Sequence, residues 1–361
     1  MPSPRRRPPS PSARRLVPPS AEGAVFADAA FAVASVAAPF PNAAGGYLAG
    51  YLAGQYAFML PVAVVVATSC QLAGIGGAAL FSPIFLLLFP YLGPQYPLDS
   101  AGAALASALL TECFGFASGL TGYARRGLVD WEVAGRFLVS SVPTALVGAV
   151  SAKYVTGNPA LLQTLYATLM LALASYLLLS PRPDEIADED CEVLGADGEQ
   201  RELRSKIAAD GTKFSYLAPE RGSKRGLATT SAGGSLTGLL GVGIGEVMLP
   251  QLVRGCCMPL PVAAGTSVAI VVTTALTAAT VQFLTLASSV EGDGTLLEGL
   301  VAVVPWNLVQ YTVPGVLVGG QLAPFLASRG MFSDDDVERF AIALFTIVGV
   351  AFATKASSGF M

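Results

Sequence analysis

The sequence predicts an all-α integral membrane protein that is built from two homologous repeats. Apolar residues make up 53% of the 361 residues and charged residues only 13%, whereas ordinary soluble domains carry about 25% charged residues. The apolar residues form long runs, and a helix needs roughly 20 such residues to cross the hydrocarbon core of a bilayer. Several motifs of the first half also recur, in the same order, in the second half.

The clearest repeated motif is a cluster of glycines followed by a proline. It occurs as "CQLAGIGGAALFSPIF" in residues 70–85 and within "GGSLTGLLGVGIGEVMLPQL" in residues 233–252. Downstream, "SVPTALVGAV" in the first half matches "TVPGVLVGGQ" in the second, and between these landmarks "LDSAGAALASALLTE" aligns with "LPVAAGTSVAIVVTT". Internal duplication of this kind is a common plan of secondary transporters.

Composition divides the chain into four parts. The first 20 residues contain five arginines, seven prolines and no acidic residue. Such a segment does not fold alone, and its composition also suits an organellar transit peptide. The four predicted parts are a disordered, basic, proline-rich tail that is a candidate targeting segment (1–55), a first transmembrane repeat (56–179), a polar inter-repeat loop (180–226) and a second transmembrane repeat (227–361).

Each repeat contains five apolar segments, of which the second is too short to span a bilayer comfortably. If all five segments cross, their odd number makes the two repeats inverted relative to each other, as in many transporters. If the short segments dip into the bilayer and return, each repeat crosses four times and the repeats are parallel. The inverted arrangement is favoured. The ten segments are 56–74, 77–92, 98–121, 132–155, 159–179, 227–244, 246–255, 259–286, 299–326 and 337–354.

Several function classes have no support in the sequence. The chain contains no histidine, which excludes histidine metal sites and Ser-His-Asp triads. It has no G-x-x-x-x-G-K-[ST] motif, so movement driven by a gradient is expected rather than by ATP, and no cofactor is predicted. No basic stripe with interleaved aromatic residues indicates nucleic-acid binding. The five cysteines lack C-x-x-C spacing and are expected to be buried free thiols.

The glycine clusters form the candidate substrate site. A helix that breaks at glycine in the middle of the membrane exposes backbone N–H groups, and its N-terminus carries a partial positive charge that suits an anion. Irregular backbone is tolerated at this depth only where it is buried in protein or lines a watery cavity. The alternative is that these glycines only allow helices to pack closely. The predicted substrate-binding glycines are Gly74, Gly76 and Gly77 in the first repeat and Gly241, Gly243 and Gly245 in the second.

Two carboxylates, Glu112 and Glu246, lie within or beside the apolar runs. Ionisable residues in membrane spans are costly and usually face a cavity or a partner, so both are candidate proton-coupling groups. The structural alternative is that they pair with Arg136 or with backbone N–H groups that a helix break leaves free. Thr266 and Ser267 supply hydroxyls that can bind an oxyanion, although such hydroxyls often bond to their own helix backbone.

These motifs resemble those of the sulfite exporter TauE/SafE family. "GLLGVGIGEVMLP" is close to the family pattern, "GIGGAALFSP" is a recognisable first copy, and "AAGTSVAI" and the paired "VP-x-x-L-V-G" motifs lie in equivalent places. The resemblance covers roughly residues 58–354 and implies a multi-pass permease that moves small anions, notably sulfite and organosulfonates. The first repeat departs from the second because Ala104 and Leu105 stand where the second has its Thr-Ser pair.

The sequence therefore predicts a secondary transporter in which two repeats enclose an anion site in the middle of the membrane and rock against each other. Its predicted partners are a small sulfur-containing anion and the lipid bilayer. A homo-oligomer is left open, as is the choice between the plasma membrane and an organellar membrane such as that of a plastid. The alternative function is a non-transporting structural or assembly subunit of an organellar membrane. No enzyme is expected, because a nucleophile would have only Cys113 beside Glu112, on different helix faces.

Overall fold

The computed structural model of the chain is a bundle of helices. Helices occur at all ten positions at which the sequence predicts apolar segments. The predicted N-terminal tail, apart from its last two residues, and the predicted site residue Gly74 lie outside the described part of the chain. The structure describes residues 54–73, 75–179, 203–209, 211–218, 224–288, 299, 303–328 and 334–358.

In the first half, the short second segment consists of three consecutive helical pieces. The elements are α1 (Met59–Ala73), α2 (Ala78–Pro83), π1 (Ile84–Leu88), α3 (Phe89–Leu92), α4 (Ala101–Arg125), α5 (Trp131–Thr156) and α6 (Pro159–Leu179). The π-helical turn directly follows Pro83. Because proline has no N–H and its ring crowds the preceding turn, the local hydrogen bonds widen after it while the chain stays helical.

The second half shows a matching order of helical elements, except that, among the described residues, no short helix follows its π-helical segment. The elements are α7 (Lys224–Leu240), α8 (Ile244–Pro250), π2 (Gln251–Gly255), α9 (Leu260–Ser288), α10 (Trp306–Ser328) and α11 (Asp334–Ser358). As in the first half, a π-helical segment of 5 residues directly follows the proline that ends the short helix. The prolines of the two motifs are therefore followed by the same irregular local structure.

Four of the described helices are long and apolar enough to cross a membrane. They are α4, α5, α6 and the part of α9 from Pro261 to Ser288. Shorter apolar helices occur at Met59–Leu72, Ala78–Leu92, Ile244–Val253 and Ile342–Ser357. Large apolar side chains such as Val139 on α5 and Leu178 on α6 are exposed, as is expected of surfaces that face lipid. The protein is mostly helical, as the sequence predicts.

The first helix of each half packs against the fourth segment of the other half, so that α1 lies against α10 and α7 lies against α5. Glycines allow this close approach. A Cβ atom on Gly315 or Gly319 of α10 would lie 2.6 Å from a carbonyl oxygen of α1, and a Cβ on Gly238 of α7 would lie 2.6 Å from the Ala149 nitrogen of α5. The halves are therefore interlocked rather than side by side.

The remaining contacts define two groups of helices, each drawn from both halves. α4 packs against α10, and α9 packs against α5. A hydroxyl pair joins each of these contacts: Thr111 and Thr312 lie 3.1 Å apart, and Ser141 and Thr274 lie 3.0 Å apart. We name α1, α4 and α10 bundle A, and α7, α9 and α5 bundle B. The bundles meet along α4 and α9, while α6 and α11 pack against each other.

Matching glutamine amides join the first and third segments of each half. Gln71 Nε2 on α1 donates to the Gly115 carbonyl on α4 at 2.7 Å, and Gln282 Nε2 on α9 donates to the Gly238 carbonyl on α7 at 2.6 Å. Both bonds join residues that are 44 positions apart. In the first half the glutamine lies on the first segment and the glycine on the third, and in the second half these positions are reversed. The hydrogen bond between the two segments is the same in both halves. Both glutamine Oε1 atoms are buried without a hydrogen-bond partner among the described residues.

The inter-repeat loop contains a β-hairpin that the sequence analysis does not predict. Strands β1 (Leu203–Ile207) and β2 (Lys213–Leu217) pair in antiparallel fashion, with Leu203 opposite Leu217. The signal lies in "LRSKIAADGTKFSYL", where alternating apolar and polar residues flank an Asp-Gly pair, a pattern typical of hairpins. Gly211 in the turn has a φ of 84°, which favours glycine. The interpretation of this loop as a simple link is therefore incomplete.

Asp130 anchors the hairpin to the start of α5. Its Oδ1 accepts the N–H groups of Glu132 and Val133, which caps the helix, and its Oδ2 accepts the Tyr216 hydroxyl at 2.5 Å and Arg204 Nη1 at 3.1 Å. Burial acts to raise the pKa of Asp130, but the Tyr216 hydroxyl, the helix amides and the Arg204 charge together lower it below its ordinary value. Burial and the hydrogen bond to Asp130 raise the pKa of Tyr216.

Backbone hydrogen bonds attach the hairpin to the ends of both bundles. The Ala209 N–H donates to the Arg126 carbonyl, directly after α4, and the Leu217 N–H donates to the Cys256 carbonyl, directly after π2, each at 2.9 Å. Lys206 Nζ adds a bond to a carbonyl oxygen of the α4–α5 connection at 2.7 Å. The hairpin thus connects the ends of bundles A and B on one side of the protein.

One cysteine differs from the expectation of free thiols. Cys257 is disulfide-bonded, whereas Cys70, Cys113 and Cys256 are free and buried, as expected. Cys191 lies outside the described residues. Spacing alone could not separate Cys257 from its neighbour Cys256, because adjacent cysteines give no pairing signal.

We expect Gly238→Ala to destabilise the bundle. The added methyl group would overlap the Ala145 carbonyl oxygen and approach the Ala149 nitrogen, so α5 and α7 must separate at a cost of about 1–3 kcal/mol. Gly135→Ala on α5 is the matched control, since nothing lies within 4 Å of its added Cβ and alanine favours a helix by about 1 kcal/mol over glycine. Thermal melting in detergent measures both; equal melting temperatures would contradict the close α5–α7 packing.

We expect Asp130→Asn to weaken hairpin docking by about 1–3 kcal/mol, since it removes a charged hydrogen-bond acceptor. The lowered pKa of Asp130 means that its contribution is present at neutral pH and is lost as pH falls below the ordinary aspartate value of about 3.9. Melting temperatures measured at decreasing pH should fall more steeply for the wild type than for the variant. Parallel curves would show that Asp130 does not stabilise the docked hairpin.

Candidate functional site

Two interruptions of the helical backbone are in contact inside the protein. The chain is non-helical between α1 and α2 and again between α7 and α8. Gly241 and Gly243 have φ values of 79° and 145°, which residues with a Cβ rarely adopt. A Cβ on Gly245 would lie 2.9 Å from the Gly76 nitrogen. Because α2 packs against α4 and α8 packs against α7 and α9, this contact joins bundle A to bundle B.

Glu246 bridges the two interruptions. It is the third residue of α8, and its Oε2 accepts the Gly243 N–H at 3.0 Å, as the glutamate of a capping box does. Its Oε1 accepts the Gly76 N–H of the other interruption at 3.1 Å. The residue is only 8% exposed. One buried carboxylate therefore satisfies a free backbone donor on each side of the junction.

Glu112 approaches the same point from α4. It is 3% exposed, and the amides of Gly77 and Ala78 at the start of α2 face its carboxylate, where a helix N-terminus favours negative charge. A Cβ on Gly76 would lie 2.8 Å from Glu112 Oε1 and 3.2 Å from Glu246 Oε1. The two predicted proton-coupling residues thus come from opposite bundles and meet at one glycine.

The surroundings of these carboxylates are apolar or weakly polar. The Cys70 thiol on α1 and the Tyr166 hydroxyl on α6 lie close enough to interact electrostatically with both. No arginine or lysine whose side chain is described forms an ion pair with either carboxylate. Arg136, the candidate partner, instead pairs with Glu132 at 2.7 Å. The geometry therefore agrees with carboxylates that face backbone N–H groups left free by a helix break.

The other predicted glycines lie around the same contact. Gly77 precedes α2, and its added Cβ would lie 3.7 Å from the Glu112 side chain. An added Cβ on Gly241 would lie 3.5 Å from Leu109 of α4, so the second interruption also packs against bundle A. Each described glycine of the predicted site thus borders this junction, and Gly74 lies outside the described residues.

The predicted hydroxyl pair has a different location. The Thr266 Oγ1 atom accepts the N–H of Asp130 at 3.0 Å, so it holds the α4–α5 connection beside the hairpin. Ser267 is buried next to it on α9. None of the hydrogen bonds described for Thr266 joins it to the glycine interruptions. The structure therefore brings the glycines and carboxylates together, but it places Thr266 at the end of the bundle.

Sequence analysis misses Thr237, which supports the second interruption. Its Oγ1 accepts the Ile244 N–H at 2.8 Å and donates to the Gly233 carbonyl at 2.9 Å. It thereby fixes the first turn of α8 while remaining bonded to its own helix. A threonine within a glycine-rich apolar run ordinarily bonds only to its own backbone, so no sequence signal distinguishes it. No group of three or more potential metal ligands occurs among the described residues.

Comparison with known proteins assigns the family. A model described as "Sulfite exporter TauE/SafE" matches residues 59–352. The chain belongs to this family. It is also similar to a protein of Bacillus subtilis (strain 168) named "Probable membrane transporter protein YunE", with 23% identity over 274 residues, which cover 74% of this chain and 87% of the relative. No solved structure matches the chain.

Membership of the TauE/SafE family makes the chain a membrane transporter, and its apolar helices make it a multi-pass membrane protein. The matched region contains both interruptions and both carboxylates, whereas it excludes the basic N-terminal tail. The part of the molecule that carries the family resemblance is therefore also the part that contains the buried polar junction.

We expect Gly76→Ala to reduce substrate flux in proteoliposomes by about tenfold or more, since misplacing groups at a site by even 1 Å has effects of this size. The added methyl group would displace the ends of Glu112 and Glu246, which are side-chain atoms that can move, so the protein should still fold. Gly77→Ala is the matched comparison and should retain more flux, because its methyl group makes only ordinary contacts at 3.7 Å. Equal flux in the two variants would contradict a role for the geometry at Gly76.

Proposed function

We propose that this TauE/SafE protein is a secondary transporter of small anions, with sulfite or organosulfonates as substrates, and that it binds them where the two helix interruptions meet. The observation that carries the proposal is the convergence of the Gly76 and Gly243 N–H groups on one buried point. Helix N-termini with free amides bind anions. Discontinuous helices that contribute such termini form substrate sites in many transporters.

The chemistry of the junction fits a small, singly charged oxyanion. Its donors are backbone amides at Gly76, Gly77, Ala78 and Gly243, and the oxygens of a sulfur oxyanion can accept several such bonds at once. Neither carboxylate at this point has a described cationic partner. A second full negative charge would therefore be costly to bury beside them, which favours a monoanion such as bisulfite or a sulfonate.

We also infer that the halves are inverted repeats. Three features support this: the matching order of the long helices, the π-helix after each proline, and the glutamine-to-glycine bonds in which the two residue types have exchanged places. The pairing of α1 with α10 and of α7 with α5 is what a twofold relation between the halves would produce. Five segments per half give the odd number that inverted topology requires.

Packing favours movement of bundle A against bundle B, rather than of one half against the other. Separating the halves would break the glycine contacts of α1 with α10 and of α5 with α7, where backbones touch. Separating the bundles leaves those contacts intact and opens the α4–α9 boundary at the junction. Alternating access by this route would expose the site between the bundles to one side of the membrane at a time.

The paired carboxylates support coupling to protons. Glu112 belongs to bundle A, and Glu246 belongs to a short helix packed on bundle B. Closing the bundles brings both to Gly76. Keeping two buried carboxylates ionised at such short range costs free energy. A bound proton would therefore stabilise the closed form and link transport to a pH gradient.

The first test is uptake by proteoliposomes of sulfite, sulfate, sulfoacetate and taurine, with and without a pH gradient, against protein-free liposomes. We expect uptake of at least one of these sulfur compounds, stimulated by the pH gradient, with a reduced response to the gradient in Glu112→Gln. Uptake that is equally stimulated in the variant would support transport but would show that Glu112 is not the proton-coupling group. Failure of the folded wild type to move any of these anions would overturn the proposed substrate class and favour a non-transporting role.

A further inference from the structure

Within the proposed function, the geometry of Glu246 points to a specific coupling mechanism. We propose that the Glu246 carboxylate occupies the anion site of the substrate-free protein, and that a proton and the transported monoanion together replace it. The carboxylate and the substrate are then alternative ligands of the same two amides, those of Gly76 and Gly243. This inference rests on the proposed transport of small anions and adds to it the group with which the substrate competes.

The first line of support is the bonding of Glu246. Each of its oxygens accepts an N–H from a different interruption, at 3.1 Å from Gly76 and at 3.0 Å from Gly243. A glutamate that served only as a helix cap would need the bond to Gly243 alone. The bond to Gly76 crosses between the bundles and uses a donor that is otherwise free for an anion. A carboxylate with two oxygens thus already fills the position of an oxyanion.

The second line of support is charge. Glu112, which is nine-tenths or more buried, points at the same glycine from the opposite bundle, and neither carboxylate has a described cationic partner. An external anion that entered while both were ionised would place three negative charges around Gly76, which is prohibitive in a dry interior. Protonation of Glu246 removes one of these charges. It also converts an ionised acceptor of two N–H bonds into a weaker, neutral one, which releases the amides.

The proposed exchange of Glu246 for substrate balances in charge. One proton adds to the Glu246 carboxylate, and one monoanion takes the freed N–H groups, so no net charge enters the site. When the anion leaves on the other side, Glu246 loses its proton there and binds the amides again. One proton and one anion therefore move in the same direction, and transport is electroneutral. The other titratable groups that face the pair are the Cys70, Cys113 and Tyr166 side chains, on α1, α4 and α6.

The test uses methanesulfonate, whose strongly acidic sulfonic group stays ionised throughout, so that any response to pH comes from groups of the protein. Wild-type protein in liposomes should accumulate it about tenfold for an inward gradient of about one pH unit. A membrane potential imposed with potassium and valinomycin should leave this accumulation unchanged. Glu246→Gln mimics the protonated residue, so its methanesulfonate flux should lose the response to pH and should respond to the potential instead.

Controls separate folding from mechanism. Asp99→Asn removes an exposed carboxylate that precedes α4 and should behave as the wild type, while melting temperatures establish that each variant is folded. Accumulation by Glu246→Gln that still follows the pH gradient, or wild-type flux that follows the potential, would overturn the proposed exchange of Glu246 for substrate. Either result would still be compatible with transport of small anions. Wild-type protein that carries no methanesulfonate would also overturn the proposed exchange, and the proposed function is then decided separately by the sulfite measurement.

Discussion

Backbone N–H groups that a helix leaves unpaired inside a membrane protein must find acceptors, since no bulk water is available to them. In this chain the unpaired donors occur at two glycine-rich interruptions, and the bundle brings both to one place. Glu246 accepts one donor from each interruption, Thr237 accepts a third, and Glu112 faces the start of α2. The acceptors come from α4, α7 and α8, so this requirement ties the two bundles together at one point.

Glycine has two separate tasks in this architecture. At Gly241 and Gly243 it permits a backbone conformation that other residues rarely adopt. At Gly148, Gly238, Gly315 and Gly319 the conformation is helical, and what matters is the missing side chain, because the facing backbone lies in the space that a Cβ would occupy. The second task interlocks helices from the two halves, so each of the two bundles contains helices of both halves.

Sequence analysis predicts the helical segments well because long apolar runs and prolines are local signals, and helices occur at all ten predicted positions. It also selects Glu112 and Glu246, since charge in an apolar run stands out. It includes Thr266 in the site because hydroxyls can bind an oxyanion, whereas the structure shows its Oγ1 bonded to the Asp130 N–H. The exchange of glutamine and glycine between Gln71 and Gly238 is invisible to alignment, because identical contacts are made there by different residues.

The β-hairpin makes the two ends of the molecule unlike. It bonds to Arg126 after α4 and to Cys256 after π2, so on that side a fastening spans both bundles. No equivalent strand pair occurs at the opposite end within the described residues. If the bundles move as proposed, a gate on the hairpin side must carry the hairpin with it or release its hydrogen bonds, whereas a gate on the other side need not. Opening rates to the two compartments would then be unequal even where the helices are symmetric, which is a kinetic polarity.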